Sequence, residues 1–414
     1  VSEPPSLRLG RLTLSQFRNY GRLTWRPGAR VVAIFGPNGG GKTNLLEAVS
    51  LLGAGRGLRG ARLGEMARIG GAGAFAVAGR FETPLGCVTI GTGTEAHDVT
   101  RRAFRLDGQA PRSRAEIAAR IALVWLTPAM DRLFQETASG RRRFLDRLVA
   151  ALEPAQAREL AAHDLALAER GRLLREGRAN AAWLNALEDA IARHAVAVTA
   201  ARLDVARRLN AALACHGAGG FPPSRLTLLS PIADRLAAAP ALAVEEELRA
   251  ELARARDPDA VAGGARIGAH RADFQLTDLA SGVPATRAST GQQKALLIGV
   301  ILGHAALVAE ARGSAPILLL DEPMVHLDAE RRAALAAALG ALPAQALITG
   351  SDRETFLPLA GFAAGWHCAD GALRADPAFC HDRDAPRSVL AGAEFQAETL
   401  PAGLPSGFCA PRGL

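Results

Sequence analysis

Lysine is almost missing from this chain: of its 49 basic residues only Lys42 and Lys294 are not arginine. An arginine bias this general makes a local cluster of arginines weak evidence for any one site. The balance against 41 acids is nevertheless +8, which favours an anionic partner, with nucleic acid the first candidate. Aromatic residues are only 5% of the chain. That speaks against a single-strand binder that stacks bases on aromatic platforms, and points to recognition of DNA through shape and backbone. The five cysteines (Cys87, Cys215, Cys368, Cys380 and Cys409) form no Cys-x-x-Cys pair and have no histidine partners at zinc-ligand spacing. Nothing in this pattern suggests a zinc site, and with an odd number of cysteines a reduced cytosol fits best. The longest apolar run, Ala295 to Ala309, contains His304 and falls short of the roughly 18 to 20 residues of a membrane span. The opening residues Val1 to Pro5 are polar and begin no charged n-region followed by an apolar h-region. The expectation is a cytoplasmic protein with no membrane association. No internal repeat is visible. The text between residues 113 and 256 sustains no heptad for more than three or four turns between breaks, so long coiled-coil arms are not expected.

The chain holds 414 residues, 49% apolar and 22% charged, enough for two or three packed domains. Alternation over Leu7 to Leu14, the run Val31 to Phe35, and pieces at Phe75 to Phe81, Cys87 to Ile90 and Thr100 to Leu106 predict strands. From Ser113 to about Arg256 alanine, leucine, arginine and glutamate predict helices, broken near Pro128, Gly140, Pro154, Gly171 to Gly177 and Gly217 to Pro223. Beyond Arg266 strands return at Asp273 to Leu279, Ile317 to Leu320 and Ala346 to Thr349, with a buried helix over Gln292 to Ala311. The prediction is an α/β protein: one discontinuous domain, residues 1–115 and 266–376, with a helical domain inserted at 116–265. The proline- and glycine-rich tail, 377–414, is left without assigned structure.

Gly36-Pro37-Asn38-Gly39-Gly40-Gly41-Lys42-Thr43 fits G-x-x-x-x-G-K-[ST] and lies between a buried strand and a helix from Lys42 to Leu52. Glycines let backbone N–H groups converge on phosphates, and the helix adds its positive end. Lys42 would reach the β and γ phosphates of ATP, and Thr43 would ligate Mg²⁺. One of only two lysines stands where a compact ammonium is needed. The apolar strand Ile317 to Leu320 ends in Asp321 and Glu322, placing Asp321 for the Mg²⁺ shell and Glu322 to polarise the attacking water. A third piece, Ser289-Thr290-Gly291-Gln292-Gln293-Lys294, opens a helix about 30 residues before that strand.

Together with the following Leu327-Asp328, these pieces resemble an ATP-binding-cassette ATPase head. The resemblance implies that Ser289, Gly291 and Gln292 complete the nucleotide site of an opposing subunit, making ATP the glue of a homodimer. Within that superfamily the chain resembles the bacterial RecF family. Leu14 to Tyr20 (LSQFRNY), the P-loop continuation through Asn44, Leu45, Leu46, Glu47 and Ala48, and Gly57-Leu58-Arg59 carry this likeness. So do Arg142-Arg143-Phe144-Leu145-Asp146, Gly268-Ala269-His270-Arg271-Ala272-Asp273, and Ser289 to Lys294. The family's Gly-Pro-His-Arg-Asp-Asp here has Ala269 and Ala272, and no histidine follows the strand at Leu347 to Gly350, where Ser351 and Asp352 stand instead. No glutamine of the usual metal-contacting loop is evident.

The resemblance implies an ATP-gated protein of DNA replication and repair, acting in DNA damage and the SOS response. It would bind double-stranded DNA and single-strand gap junctions, help RecR and RecO load RecA, and hydrolyse ATP slowly to reset. By analogy Arg18 and Asn19 lie near the nucleotide. Arg59 and the run Arg141, Arg142, Arg143 are favoured over Arg56, Arg62, Arg101, Arg102, Arg105 and Arg147 as phosphate contacts. Two rival readings are the nucleotide-binding subunit of a membrane transporter and a chromosome-organising ATPase. The basic charge and the long helical insertion oppose the first, and the broken helices oppose the second.

Overall fold

The computed structural model describes residues 7–379 except 54, 72, 96, 178–179 and 216–219. Most of the tail expected from residue 377 therefore lies outside the described residues. The chain divides into two compact units, residues 1–130 with 308–414 and residues 131–307.

The first unit runs β1 (Arg8–Phe17), β2 (Tyr20–Trp25), β3 (Val31–Phe35), α1 (Lys42–Leu51), α2 (Leu63–Met66), β4 (Ala76–Thr83), β5 (Gly86–Glu95), β6 (Asp98–Leu106), α3 (Arg114–Arg120) and β7 (Leu123–Leu126). The second unit holds α4 (Ala138–Leu152), α5 (Gln156–Glu176), α6 (Ala181–Cys215), β8 (Ser224–Leu229), α7 (Pro231–Ala238), α8 (Ala241–Arg254), α9 (Arg256–Ala262) and β9 (Asp273–Asp278). Helix α10 (Thr290–Arg312) crosses the second boundary, after which β10 (Ile317–Leu320), α11 (Ala329–Ala341), β11 (Ala346–Gly350), β12 (Ala363–Ala369) and β13 (Ala372–Asp376) return to the first unit.

The first unit is the expected α/β architecture, built on two sheets. One is antiparallel, in the order β2-β1-β4-β5-β6. The other, in the order β13-β12-β3-β11-β10-β7, is parallel from β12 to β7 with β13 antiparallel at its edge. Every residue of β3, β10 and β11 is buried, which is why their sequences are continuous apolar runs rather than alternating ones. Helix α1 packs against β11 of one sheet and against β1 and β4 of the other. Its Leu45, Leu46 and Val49, with the C-cap Leu52, share a core with Leu12 and Leu14 of β1 and with Val32 and Ile34 of β3. Truncating a leucine buried this completely costs about 2–5 kcal/mol.

The units divide at 130/131 and 307/308, whereas the sequence reading places the boundaries at 115/116 and 265/266. Strand pairing is the reason. Leu123 to Leu126 lie in parallel register with Ile317 to Leu320, so β7 stays with the parallel sheet. Phe274 and Leu276 pair with Leu228 and Leu226, so the strand beginning at Asp273 joins the helical unit.

The break expected over Gly171 to Gly177 falls at Gly177, the left-handed C-cap of α5, while Gly140 lies inside the first turn of α4 rather than at a break. Helix α6 runs 35 residues, roughly 50 Å. No glycine or proline interrupts residues 181–215, so nothing stops this helix. In the second unit Arg170, 1% exposed, ties α5 to Glu188 of α6 (3.0 Å) and Asp259 of α9 (2.8 Å). Arg256 adds a second guanidinium to Glu188 at 2.5 Å. Removing Arg170 would take a buried guanidinium from both Glu188 and Asp259 and leave only Arg256 and Arg266 beside them, at a cost of a few kcal/mol. Helix α10 alone among the described residues has the length and apolarity of a membrane span, and 72% of its most apolar window is buried inside the fold, as in a core helix.

Candidate nucleotide-binding site

The turn from β3 into α1 demands glycine. Gly36 and Gly41 have φ of +146° and +113°, conformations a side chain disfavours, and neither has room for one. A Cβ on Gly36 would sit 2.2 Å from the carbonyl oxygen of Cys368, and one on Gly41 would sit 2.6 Å from the Tyr20 hydroxyl. Pro37, Asn38 and Gly39 form an exposed rim, while Gly40, Gly41 and Lys42 are buried. Lys42 Nζ donates to the carbonyls of Gly36 (2.8 Å) and Pro37 (2.9 Å), which holds the ammonium over the loop. Helix α1 starts with no side-chain cap and no acid in its first turn. Its positive end is therefore directed at the loop without internal neutralisation, the arrangement that binds phosphate.

Strand β10 delivers Asp321, whose N–H donates to Leu126 O at 2.9 Å. Its Oδ1 accepts from Thr43 Oγ1 (2.9 Å) and from Thr349 Oγ1 (2.6 Å), and Thr349 Oγ1 accepts from the Glu322 N–H (3.1 Å). Thr349 is fully buried in β11, the strand between β3 and β10, so the central strand locks the acid to the P-loop threonine. Glu322 has φ +51°, a left-handed conformation that costs a residue with a Cβ roughly 1–2 kcal/mol. A hydroxyl and a carboxylate side by side are the hard oxygen donors that suit Mg²⁺. Among the described residues no three His, Cys, Asp or Glu side chains gather into a metal cluster. A cation here would take its remaining ligands from phosphate and water.

Behind the loop stands a second layer. The carbonyl of Gly40 accepts from Asn19 Nδ2 (3.2 Å), Cys368 Sγ (3.3 Å) and the N–H of Gly371 (3.3 Å), and Tyr20 Oη donates to Gly41 O (3.0 Å). Burial, then the neighbouring Cys368, pushes the Tyr20 phenol well above its usual range, so it stays a donor. Asn44 Nδ2 donates to Asn19 Oδ1 (2.9 Å) and Asn44 Oδ1 accepts from Arg59 (2.7 Å). Glu47, with a side chain 1% exposed, accepts from Arg18 through both oxygens at 2.8 Å and from Arg59 at 3.0 Å. Arg18, Asn19, Asn44 and Arg59 thus brace the loop from one hydrogen-bonded chain.

The serine-glycine signature lies in the other unit. The Ser289 N–H donates to Gln292 Oε1 (2.9 Å) and the Gln292 N–H donates to Ser289 Oγ (3.4 Å). This reciprocal capping box starts α10 with Gly291 in its first turn. Ser289 and Gln292 are exposed, whereas Lys294 is 1% exposed and pairs with Asp131 at 3.2 Å. In the arginine run, Arg141 grips Asp273 through both oxygens (2.8 and 2.7 Å) and Arg142 donates to Ala272 O (2.8 Å). Arg143 is exposed, with a bond of 3.4 Å to Ser139. His270 donates to Ala265 O at 2.8 Å, and burial together with nearby His163, Arg271 and Arg142 holds it below the usual imidazole range.

Residues 8–360 match the family model described as the RecF/RecN/SMC N terminal domain. The DNA replication and repair protein RecF of Mesorhizobium japonicum is 43% identical over 362 residues, covering 87% of this chain and 96% of that protein. This chain belongs to the RecF family. The RecF of Rhizobium etli is 42% identical over 371 residues, covering 89% of this chain and 99% of its own length. Among solved structures, the recombination mediator protein RecF-ATP in the RecFOR pathway superposes with a TM-score of 0.75 at 21% identity, covering 90% of this chain and 99% of that one. An Smc head domain from Pyrococcus furiosus bound to the C-terminal domain of ScpA gives 0.50 at 14% identity, covering 89% and 96%. The fold is that of an ABC-type ATPase head, and the transporter and chromosome-organising readings are not favoured.

Two residues of this RecF-family site escape sequence reasoning. Thr349 is the single hydroxyl in the apolar stretch ALITG, a signal available but unused. Cys368 touches Gly40 from 328 positions away, and nothing in the sequence announces that contact.

Proposed function

We propose that this chain is a cytoplasmic, ATP-dependent DNA-binding protein of recombinational gap repair. The observation that carries the reading is the bond from Thr43 of the P-loop to Asp321, made rigid by Thr349, in a chain related to RecF proteins over nearly its whole length. Gly36 to Asn44 embrace the phosphates, Lys42 neutralises them, and Thr43 and Asp321 supply the oxygen ligands for Mg²⁺. Glu322 orients and deprotonates the attacking water. ATP supplies, when bound, the γ-phosphate that Ser289, Gly291 and Gln292 of a second copy recognise, so the nucleotide gates a homodimer. Hydrolysis is slow and resets it.

The dimer binds duplex DNA and single-strand gap junctions, with Arg59 and, of the run Arg141 to Arg143, the exposed Arg143 offered as phosphate contacts, Arg141 being held by Asp273. RecR and RecO are the partners in loading RecA. The decisive experiment measures binding to gapped duplex DNA at two salt concentrations, without nucleotide and with ADP or ATP, while recording molecular mass. Affinity and dimer mass should rise together only with ATP. A dimer that forms with ATP while DNA affinity stays flat and weak would overturn the repair role and keep the ATPase.

A further inference from the structure

A groove of about 460 Å³ follows β6, the edge strand of the antiparallel sheet. It is lined by four arginines, Arg101, Arg102, Arg105 and Arg114, against two carboxylates. Both carboxylates have local work. Glu95 meets His97 at 3.0 Å and Arg105 at 4.0 Å, and Asp98 accepts from the N–H (3.1 Å) and hydroxyl (2.6 Å) of Thr100. Arg102 and Arg114 stand over one ring, their guanidinium carbons 4.4 and 5.4 Å from the centre of Phe104. The donors of Arg102 go to neutral acceptors: the Thr92 hydroxyl (2.8 Å) and the carbonyls of Gly55 (3.0 Å) and Leu51. Burial, then the charge of Arg114, pushes the Arg102 guanidinium down to about 10. Two like charges held on one ring repel, and an anion in the groove relieves that repulsion.

The arrangement is a line rather than a point. Arg101 and Arg105 both line the groove four residues apart in β6, about 13 Å along a strand. One small anion does not reach both, whereas a polyanion with a charge every 3.4 Å of rise per strand does. We propose that this groove is a further DNA-contact site, taking backbone phosphates on Arg101, Arg105 and Arg114 while Arg102 braces the floor. The proposal rests on the DNA-binding reading above and assigns it a surface distinct from Arg59 and the Arg141 to Arg143 run.

The test uses the full chain with ATP and Mg²⁺ and a fluorescent duplex, titrated across a salt series. Arg101→Gln/Arg114→Gln removes two exposed charges and leaves Arg102 in place. The result expected is a roughly tenfold weaker affinity and a log–log salt slope shallower by about 2, with ATP affinity and melting temperature unchanged. Arg101→Lys/Arg114→Lys should restore binding, because a phosphate contact needs charge and a stacking role needs the planar guanidinium. The control Arg249→Gln/Arg254→Gln, the same charge change on α8, should have a markedly smaller effect. Parent-like affinity and slope in the Gln pair, an equal loss in the control, or failure of the Lys pair to restore binding would each overturn the groove alone. No binding by the parent chain would overturn the DNA reading and the groove with it.

Discussion

The ammonium of Lys42 bears on the P-loop directly, the hydroxyl of Thr349 only through Asp321. Lys42 supplies the mobile charge, at present folded onto the Gly36 and Pro37 carbonyls. Lys42→Ala should weaken ATP binding by roughly a hundredfold, the equivalent of one or two charge-assisted bonds, and isothermal titration with ATP and Mg²⁺ measures it. Thr349 is structural support for Asp321. Thr349→Val keeps the shape of the side chain but strips a donor from Asp321 and an acceptor from the Glu322 N–H, so stability should fall by about 1–3 kcal/mol. Denaturant unfolding gives that number. A Mg²⁺-ATP affinity that also falls would place Thr349 as a positioning residue, whereas unchanged affinity would confine it to the fold.

At the scale of elements, α10 serves two ends. Its start presents Ser289 in a capping box, and farther along His304 is fully buried and donates to Leu148 O at 2.9 Å. Burial lowers the His304 imidazole to about 4, below the usual value near 6.5. The unfolded chain therefore binds more protons than the folded one between those values, and stability falls as pH drops from about 6.5 to about 4, then levels off as far as this group is concerned. His304→Gln keeps an N–H donor and abolishes the titration, so its melting temperature should lose part of the parent's slope over that window. At the other end, Ser289→Arg should leave monomer ATP binding intact while preventing the ATP-dependent dimer, and a normal dimer mass by light scattering would sink the signature assignment.

For the whole molecule, a net charge of +8 spread through a chain with almost no lysine gives a general attraction for polyanions, which in the proposed cycle nucleotide binding would gate. Glu322→Gln should bind ATP, remain dimeric and hydrolyse at least tenfold more slowly, so the variant should stay on gapped DNA longer than the parent. Phosphate-release assays beside DNA dissociation rates check both halves, and unchanged turnover would remove Glu322 as the base.

Local structure is legible from contiguous residues. The strand-loop-helix around Gly36 to Thr43, the apolar strand ending in Asp321 and Glu322, and the start of α10 at Ser289 each follow from contiguous residues whose backbone demands are readable in order. The 35 uninterrupted residues of α6 are equally legible, since no Gly or Pro occurs among them. The remaining contacts join residues hundreds of positions apart and depend on which strands become neighbours in the folded sheet. The order β3-β11-β10 brings Thr349 to Asp321, and the pairing of β12 with β3 sets Cys368 behind the P-loop. Arg141 looked like its neighbours in the sequence; Asp273, 132 residues away, neutralises it, and local sequence pattern does not encode a partner at that distance.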